Sequence, residues 1–165
     1  MIIDEEVFAV LIAISVVGSV IGIATVLRPE TVEPFTAIGL LSASCQIGDY
    51  PTKAFNNSAL SLCIFVLNHM GKPVLYRVVY KVGDLETLPT NATPSPAREA
   101  MAWIGVLGNK QNATTSIEVP VYANGPLPTK VALIFELWLY DTELNRWVYT
   151  GRWVHLYVDV SPQIA

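Results

Sequence analysis

Two cysteines and two histidines, Cys45, Cys63, His69 and His155, bound the covalent and metal chemistry open to this chain. Cys63, His69 and Met70 follow one another as they would on the ligand loop of a copper site, but such a site draws a second histidine from an earlier strand. No histidine precedes His69, so the pattern reads as a strand cysteine followed by a turn histidine. A four-ligand zinc site would need both pairs to converge or carboxylates to join them. His155 and Asp159 share one face of a strand, yet four residues of strand separate them by ~13 Å, too far for a hydrogen bond. Neither a Gly-x-Ser-x-Gly turn, a phosphate loop nor a paired acidic motif occurs. The expectation is a protein without catalytic residues, metal ligands or cofactor, and not an enzyme. Cys45 and Cys63 could close a loop of about 17 residues, a bridge worth ~3 kcal/mol in the chain-entropy model, or remain two separate buried thiols.

Non-covalent chemistry is richer. Trp138, Tyr140, Trp153, His155 and Tyr157 fall on the outer faces of the last two strands, with Trp147 and Tyr149 at the hairpin between them. Exposed aromatics at that density would mark an interaction surface. Equally, the Pro/Thr/Asn-rich stretch Asp84–Glu99 could cover them, or they could form the second packed face of a twisted sheet.

These side chains are positioned by alternating strands. Leu60, Leu62, Ile64 and Val66 alternate with Ser61, Cys63 and Phe65, and Val74, Tyr76, Val78, Tyr80 and Val82 alternate with Arg77 and Lys81. The same period of two runs through Ile117, Val119 and Val121, through Val131, Leu133, Phe135, Leu137 and Leu139 about Glu136, and through Val154, Leu156, Val158 and Val160. Each set predicts a strand with one buried face. Thr36–Ser42 and a segment near Met101–Leu107 raise the total to about seven, with turn chemistry at Gly48-Asp49-Tyr50-Pro51, His69–Pro73, Asn124-Gly125-Pro126 and Asp141–Asn145. The fold class is mainly β: an immunoglobulin-like antiparallel β-sandwich of about seven strands. Pro96–Ala100 could instead open a short helix.

Ahead of the sandwich, Val7 to Leu27 runs without a charge, Asn, Gln or Pro and is closed by Arg28-Pro29. An α-helix needs ~20 apolar residues to cross a hydrocarbon core of ~30 Å. A cleaved signal peptide wants a basic n-region and a shorter apolar core, whereas Asp4, Glu5 and Glu6 precede this one. A pilin-like stalk is the other alternative, and it normally follows a basic leader. The reading is one N-terminal transmembrane helix that stays attached, with Gly18 and Gly22 spaced for helix–helix contact. Lys and Arg near the helix are too few to orient it. Three sequons, at Asn56, Asn91 and Asn112, all lie after it and point to an extracytoplasmic domain. Net charge is −4 with no Lys/Arg cluster, which argues against a nucleic-acid partner. Mean hydropathy of +0.44 with 15% charged residues fits a membrane chain with apolar strands.

Pro34–Leu41, Ile47-Gly48-Asp49-Tyr50-Pro51, Val66-Leu67-Asn68-His69-Met70-Gly71, Phe135–Trp138, Tyr149–Arg152 and His155–Val160 resemble a largely archaeal family catalogued as a domain of unknown function, sixteen-sixteen in that series. The resemblance spans roughly Val32 to Val160 and implies a membrane-anchored sandwich outside the cell. It carries no known activity and no catalytic residues. Many members have several membrane helices before the domain, and this chain has one.

The expected organisation is a tail at 1–6, a transmembrane helix at 7–27, a proline linker at 28–35, an extracytoplasmic sandwich at 36–160 and a tail at 161–165. The expected role is protein–protein contact in a membrane complex or the cell envelope, with the bilayer and membrane or envelope proteins as partners. A surface-filament subunit and a metal-binding or redox accessory to a membrane enzyme are the alternatives.

Overall fold

The computed structural model describes residues 4–27 and 33–163. The chain divides into two compact units at Glu33/Pro34. The first contains helix α1 (Glu5–Val26), and none of its side chains is buried. It begins two residues before the apolar run, because Glu5 and Glu6 in the first turn suit the positive end of the helix dipole. At the other end the Leu27 N–H donates to the Ile23 carbonyl at 2.9 Å. The hydroxyls of Ser15, Ser19 and Thr25 donate to the carbonyls of Leu11, Ser15 and Gly22 at 2.7–2.8 Å. Each hydroxyl is thereby satisfied within the helix. Arg28 and Pro29 of the expected linker lie outside the described residues.

The second unit is a β-sandwich. Its strands are β1 (Phe35–Leu41), β2 (Lys53–Phe55), β3 (Ser58–His69), β4 (Val74–Gly83), β5 (Glu99–Leu107), β6 (Asn112–Val121), β7 (Thr129–Asp141) and β8 (Arg146–Ser161). One sheet has the order β1-β3-β6 and the other β2-β8-β7-β4-β5. The architecture is the immunoglobulin-like sandwich expected, with two departures. An eighth strand, β2, is present, and it pairs parallel to β8 through Lys53↔Asp159 and Phe55↔Ser161, so the fold is not wholly antiparallel. The boundaries also widen slightly, since Phe35 belongs to β1 and Ser161 to β8.

The core is the meeting of the alternating sets read from the sequence. Leu62, Ile64, Val66, Val78, Ile117, Val119, Leu133, Phe135, Leu137 and Val158 are all buried in one cluster. Tyr80 ties the layers together: its ring lies 5.0 Å from Phe135, and its hydroxyl donates to the Pro120 carbonyl at 2.8 Å in the facing sheet. Burial and the neighbouring Tyr122 raise its pKa.

Asn68 explains part of the Asn-His-Met-Gly pattern. It is fully buried, its amide donates to the carbonyls of Lys72, Leu107 and Gly108 at 2.8–3.0 Å, and its carbonyl accepts the Met70 N–H at 2.9 Å. One side chain thus ties the β3–β4 turn to the β5–β6 turn. Cys63 faces away from the core, opposite Leu41 and Ser116. It is disulfide-bonded to Cys45 with the Cα atoms 5.1 Å apart. The bridge holds the β1–β2 loop to the outer face of the three-stranded sheet, and the Tyr50 hydroxyl reinforces it by donating to the Leu40 carbonyl at 2.8 Å.

Candidate interaction surface

The outer face of the five-stranded sheet brings the aromatic residues together. Register places Tyr140 opposite Trp147 and Trp138 opposite Tyr149, with Glu136, Ile134 and Ala132 opposite Trp153, His155 and Tyr157. The ladder jogs between Leu137/Trp138, where Thr150 and Gly151 are the extra residues of a bulge on β8. Ring centroids lie 5.4 Å apart for Tyr140–Trp147, 5.3 Å for Trp138–Tyr149, 5.3 Å for Trp153–His155 and 4.7 Å for His155–Tyr157. These separations suit edge and offset aromatic packing.

The sequence left open whether this face is free or covered, and the structure divides it. The segment between β4 and β5 lies across its middle. Lys81 Nζ donates to the Ser95 carbonyl at 2.7 Å and pairs with Glu136 Oε2 at 3.0 Å. Glu136 also accepts the Ser95 N–H at 2.5 Å and the Trp138 indole N–H at 3.2 Å. Tyr149 donates its hydroxyl to the Thr90 carbonyl at 2.8 Å. Burial, and then the charge of Glu136, push the Tyr149 phenol up to about 12.

The one-sided burial expected of these strands changes here. Lys81 and Glu136 are not a solvated face; their side chains are 10% and 0% exposed. β7 is buried on both faces, since Ala132 and Ile134 are as enclosed as Leu133 and Phe135. Nor does a helix form at Pro96–Ala100, where the chain turns directly into β5. The alternating charges hid this second layer because each finds its partner only in three dimensions.

All five candidate residues, Trp138, Tyr140, Trp153, His155 and Tyr157, are half-buried, as are Trp147 and Tyr149. Desolvation lowers the His155 pKa. Beyond the covering segment the face is more open. Leu139, Tyr140, Val148 and Tyr149 help line a cavity of about 820 Å³ with Phe35 and Met70, and Arg77 lies 6.0 Å from the Trp147 ring. Next to these, Ile104 and Val106 of β5 are exposed, and the sequence pattern gave them no role.

Other candidates fall apart from this face. His69 stacks on Phe35 at 5.0 Å, and the Cys63 sulfur is committed to Cys45. Asp159 pairs with Lys130 at 3.6 Å. Among the described residues no three His, Cys, Asp or Glu side chains converge on a metal-sized site. Gly18 and Gly22 have no atom near the position a Cβ would take. Asn91 and Asn112 are exposed, whereas Asn56 is half-buried and accepts the Ala123 N–H at 3.0 Å.

No family model and no curated protein matches the chain. Among solved structures it is similar to the CARDB domain of the PF1109 protein from Pyrococcus furiosus, crystallised in complex with di-metal ions. Identity is 14%, coverage is 78% of this chain and 89% of that one, and the TM-score is 0.48. It is also similar to PapD-like domain 7 of human CEP192, at 11% identity, 84% and 94% coverage and a TM-score of 0.39.

Proposed function

We propose that this protein is a single-pass membrane protein whose sandwich lies outside the cytoplasm and works by contact with other proteins of a membrane complex or the envelope. The observation that carries the reading is α1: a long apolar helix that buries none of its side chains within the chain's own fold. A soluble domain would leave that surface to water, whereas a bilayer accepts it, and the internally bonded Ser15, Ser19 and Thr25 hydroxyls suit the same solvent. Gly18 and Gly22 are the positions where a second helix would approach. The Gly48-Asp49-Tyr50-Pro51 and Asn68-His69-Met70-Gly71 motifs support membership of the domain-of-unknown-function family they resemble.

Contact is the activity left by the side chains present. The aromatic face is preorganised by rings packed on one another and by Glu136, and aromatic anchors of this kind dominate protein interfaces. The sequons favour the outside, with exposed Asn112 the best-placed acceptor and Asn91 next.

Membrane fractionation with protease accessibility tests the reading. The chain should resist extraction from membranes at alkaline pH, and protease added outside intact cells should digest the sandwich. Release at alkaline pH, or protection from external protease, would contradict it.

A further inference from the structure

Strand β5 stands at the edge of the five-stranded sheet, hydrogen-bonded to β4 alone. Natural sheets blunt their edges with lysines, prolines, bulges or brevity. The other margins show such devices: β2 has three residues and begins with Lys53, β6 carries Pro120 among Thr114, Ser116 and Glu118, and β1 runs beside β8, where Phe35 and Ile38 share a small cavity with Arg152 and Trp153. β5 is nine residues long and carries no lysine or proline, and its one irregularity is a bulge at its first residues, where Lys81 pairs with Glu99 and Tyr80 with Met101. Ala100 to Leu107 contains no charge and no proline. Ile104 and Val106 point outward and are 63% and 69% exposed. The one charge on the strand, Glu99, is already paired with Arg77 of the same chain.

We propose that β5 is the edge through which two copies of this chain pair, antiparallel about Ile104, to form one continuous sheet with five strands from each copy. The free N–H and C=O groups of an edge are satisfied by another extended backbone, which narrows the occupant to a strand. A second copy of β5 fits, because the segment brings no like charges together and its outward residues are self-complementary. A two-fold about Ile104 sets that residue against itself and Ala102 against Val106, bringing the exposed side chains into lateral cross-strand contact. An isologous contact of this type closes on itself as a dimer. A helix that confines copies to one plane raises their effective concentration, so a modest edge contact suffices. The inference rests on reading the sandwich as a membrane-held contact domain and names the surface and the partner.

Cysteine cross-linking of the full chain in its membrane tests it. Ile104→Cys should yield a disulfide-linked dimer on mild oxidation, because cross-strand Cβ atoms at the two-fold lie within bridging range. Val106→Cys alone should give about tenfold less, since its opposite number is Ala102, and Ala102→Cys with Val106→Cys should restore the dimer. All three positions are exposed, so folding is retained, and an unchanged thermal midpoint of the reduced variants confirms it. The proposal is overturned if Ile104→Cys stays monomeric, if the two single variants cross-link equally, or if the captured species is a different protein. A monomeric Ile104→Cys that still co-purifies with another protein overturns the self-pairing while leaving the contact reading intact; loss of both removes the contact reading as well.

Discussion

Lys81 and Glu136 meet at 3.0 Å beneath the segment joining β4 to β5, and that segment is held there by Ser95, whose carbonyl accepts from Lys81 and whose N–H donates to Glu136. Charges this enclosed are tolerable only when every lone pair and proton is used. Here both carboxylate oxygens are engaged, Oε1 by the Ser95 N–H and Oε2 by Lys81 and the Trp138 indole N–H. The ion pair, the covering segment and the aromatic face are therefore one structure.

Removing the carboxylate should be costly. Glu136→Ala leaves the Lys81 ammonium buried without a counter-charge, a loss of about 3–5 kcal/mol. Urea unfolding of the full chain in detergent should show the midpoint falling accordingly. Lys81→Met combined with Glu136→Leu should recover part of the loss but remain below wild type, because the Ser95 and Trp138 N–H groups still lack an acceptor. A single variant as stable as wild type would refute the network.

Gly151 is the second point at which the segment is gauged. Its φ is +71°, and a Cβ there would collide with the Asn91 carbonyl oxygen. Gly151→Ala should cost about 1–3 kcal/mol through strain and loosened docking. Limited proteolysis should then cut between residues 84 and 98 faster than in wild type. An unchanged cutting rate would show that the segment does not depend on this contact.

The Cys45–Cys63 bridge closes a short loop, so its loss should lower stability by about 3 kcal/mol. Thermal unfolding with and without reductant measures this in wild type, and Cys45→Ala should show the lower midpoint under both conditions. Equal midpoints for wild type with and without reductant would mean that the bridge contributes nothing.

The core faces were legible because burial on one side of a strand writes itself as a period of two: Leu62, Ile64 and Val66, or Val131, Leu133 and Phe135, are inside as their spacing predicts. β2 was not legible, because Lys53-Ala54-Phe55 is too short to show a period and becomes a strand only by pairing with residues a hundred positions away. The second buried layer was hidden by Lys81 and Glu136, which look like surface charges until Ser95 is laid between them. The aromatic side chains were found from sequence, and cover by Asp84–Glu99 was one of the readings left open; which part of the face it covers was not legible. Asn68 went unnoticed for the same reason as Glu136: a polar residue in an apolar strand declares burial only through its partners.

His155 sets a pH dependence. Its pKa is lowered from 6.5 by desolvation. The folded state therefore binds its proton less readily than the unfolded chain, and stability falls as pH drops through 6.5. The contribution is fully present above that value and levels off below the folded-state pKa. The difference in unfolding free energy between wild type and His155→Gln, followed from pH 8 to pH 5, should shrink with acidity. A difference independent of pH would contradict the sign of the shift.

The sandwich is proposed to act through protein contact from a membrane anchor. Gentle detergent solubilisation of the native membrane, purification of the full chain and measurement of the mass of the protein component test it directly. A defined assembly, either a second copy of the chain or a stoichiometric partner, is the result expected. A lone monomer of 18.1 kDa with nothing bound to it would contradict the account.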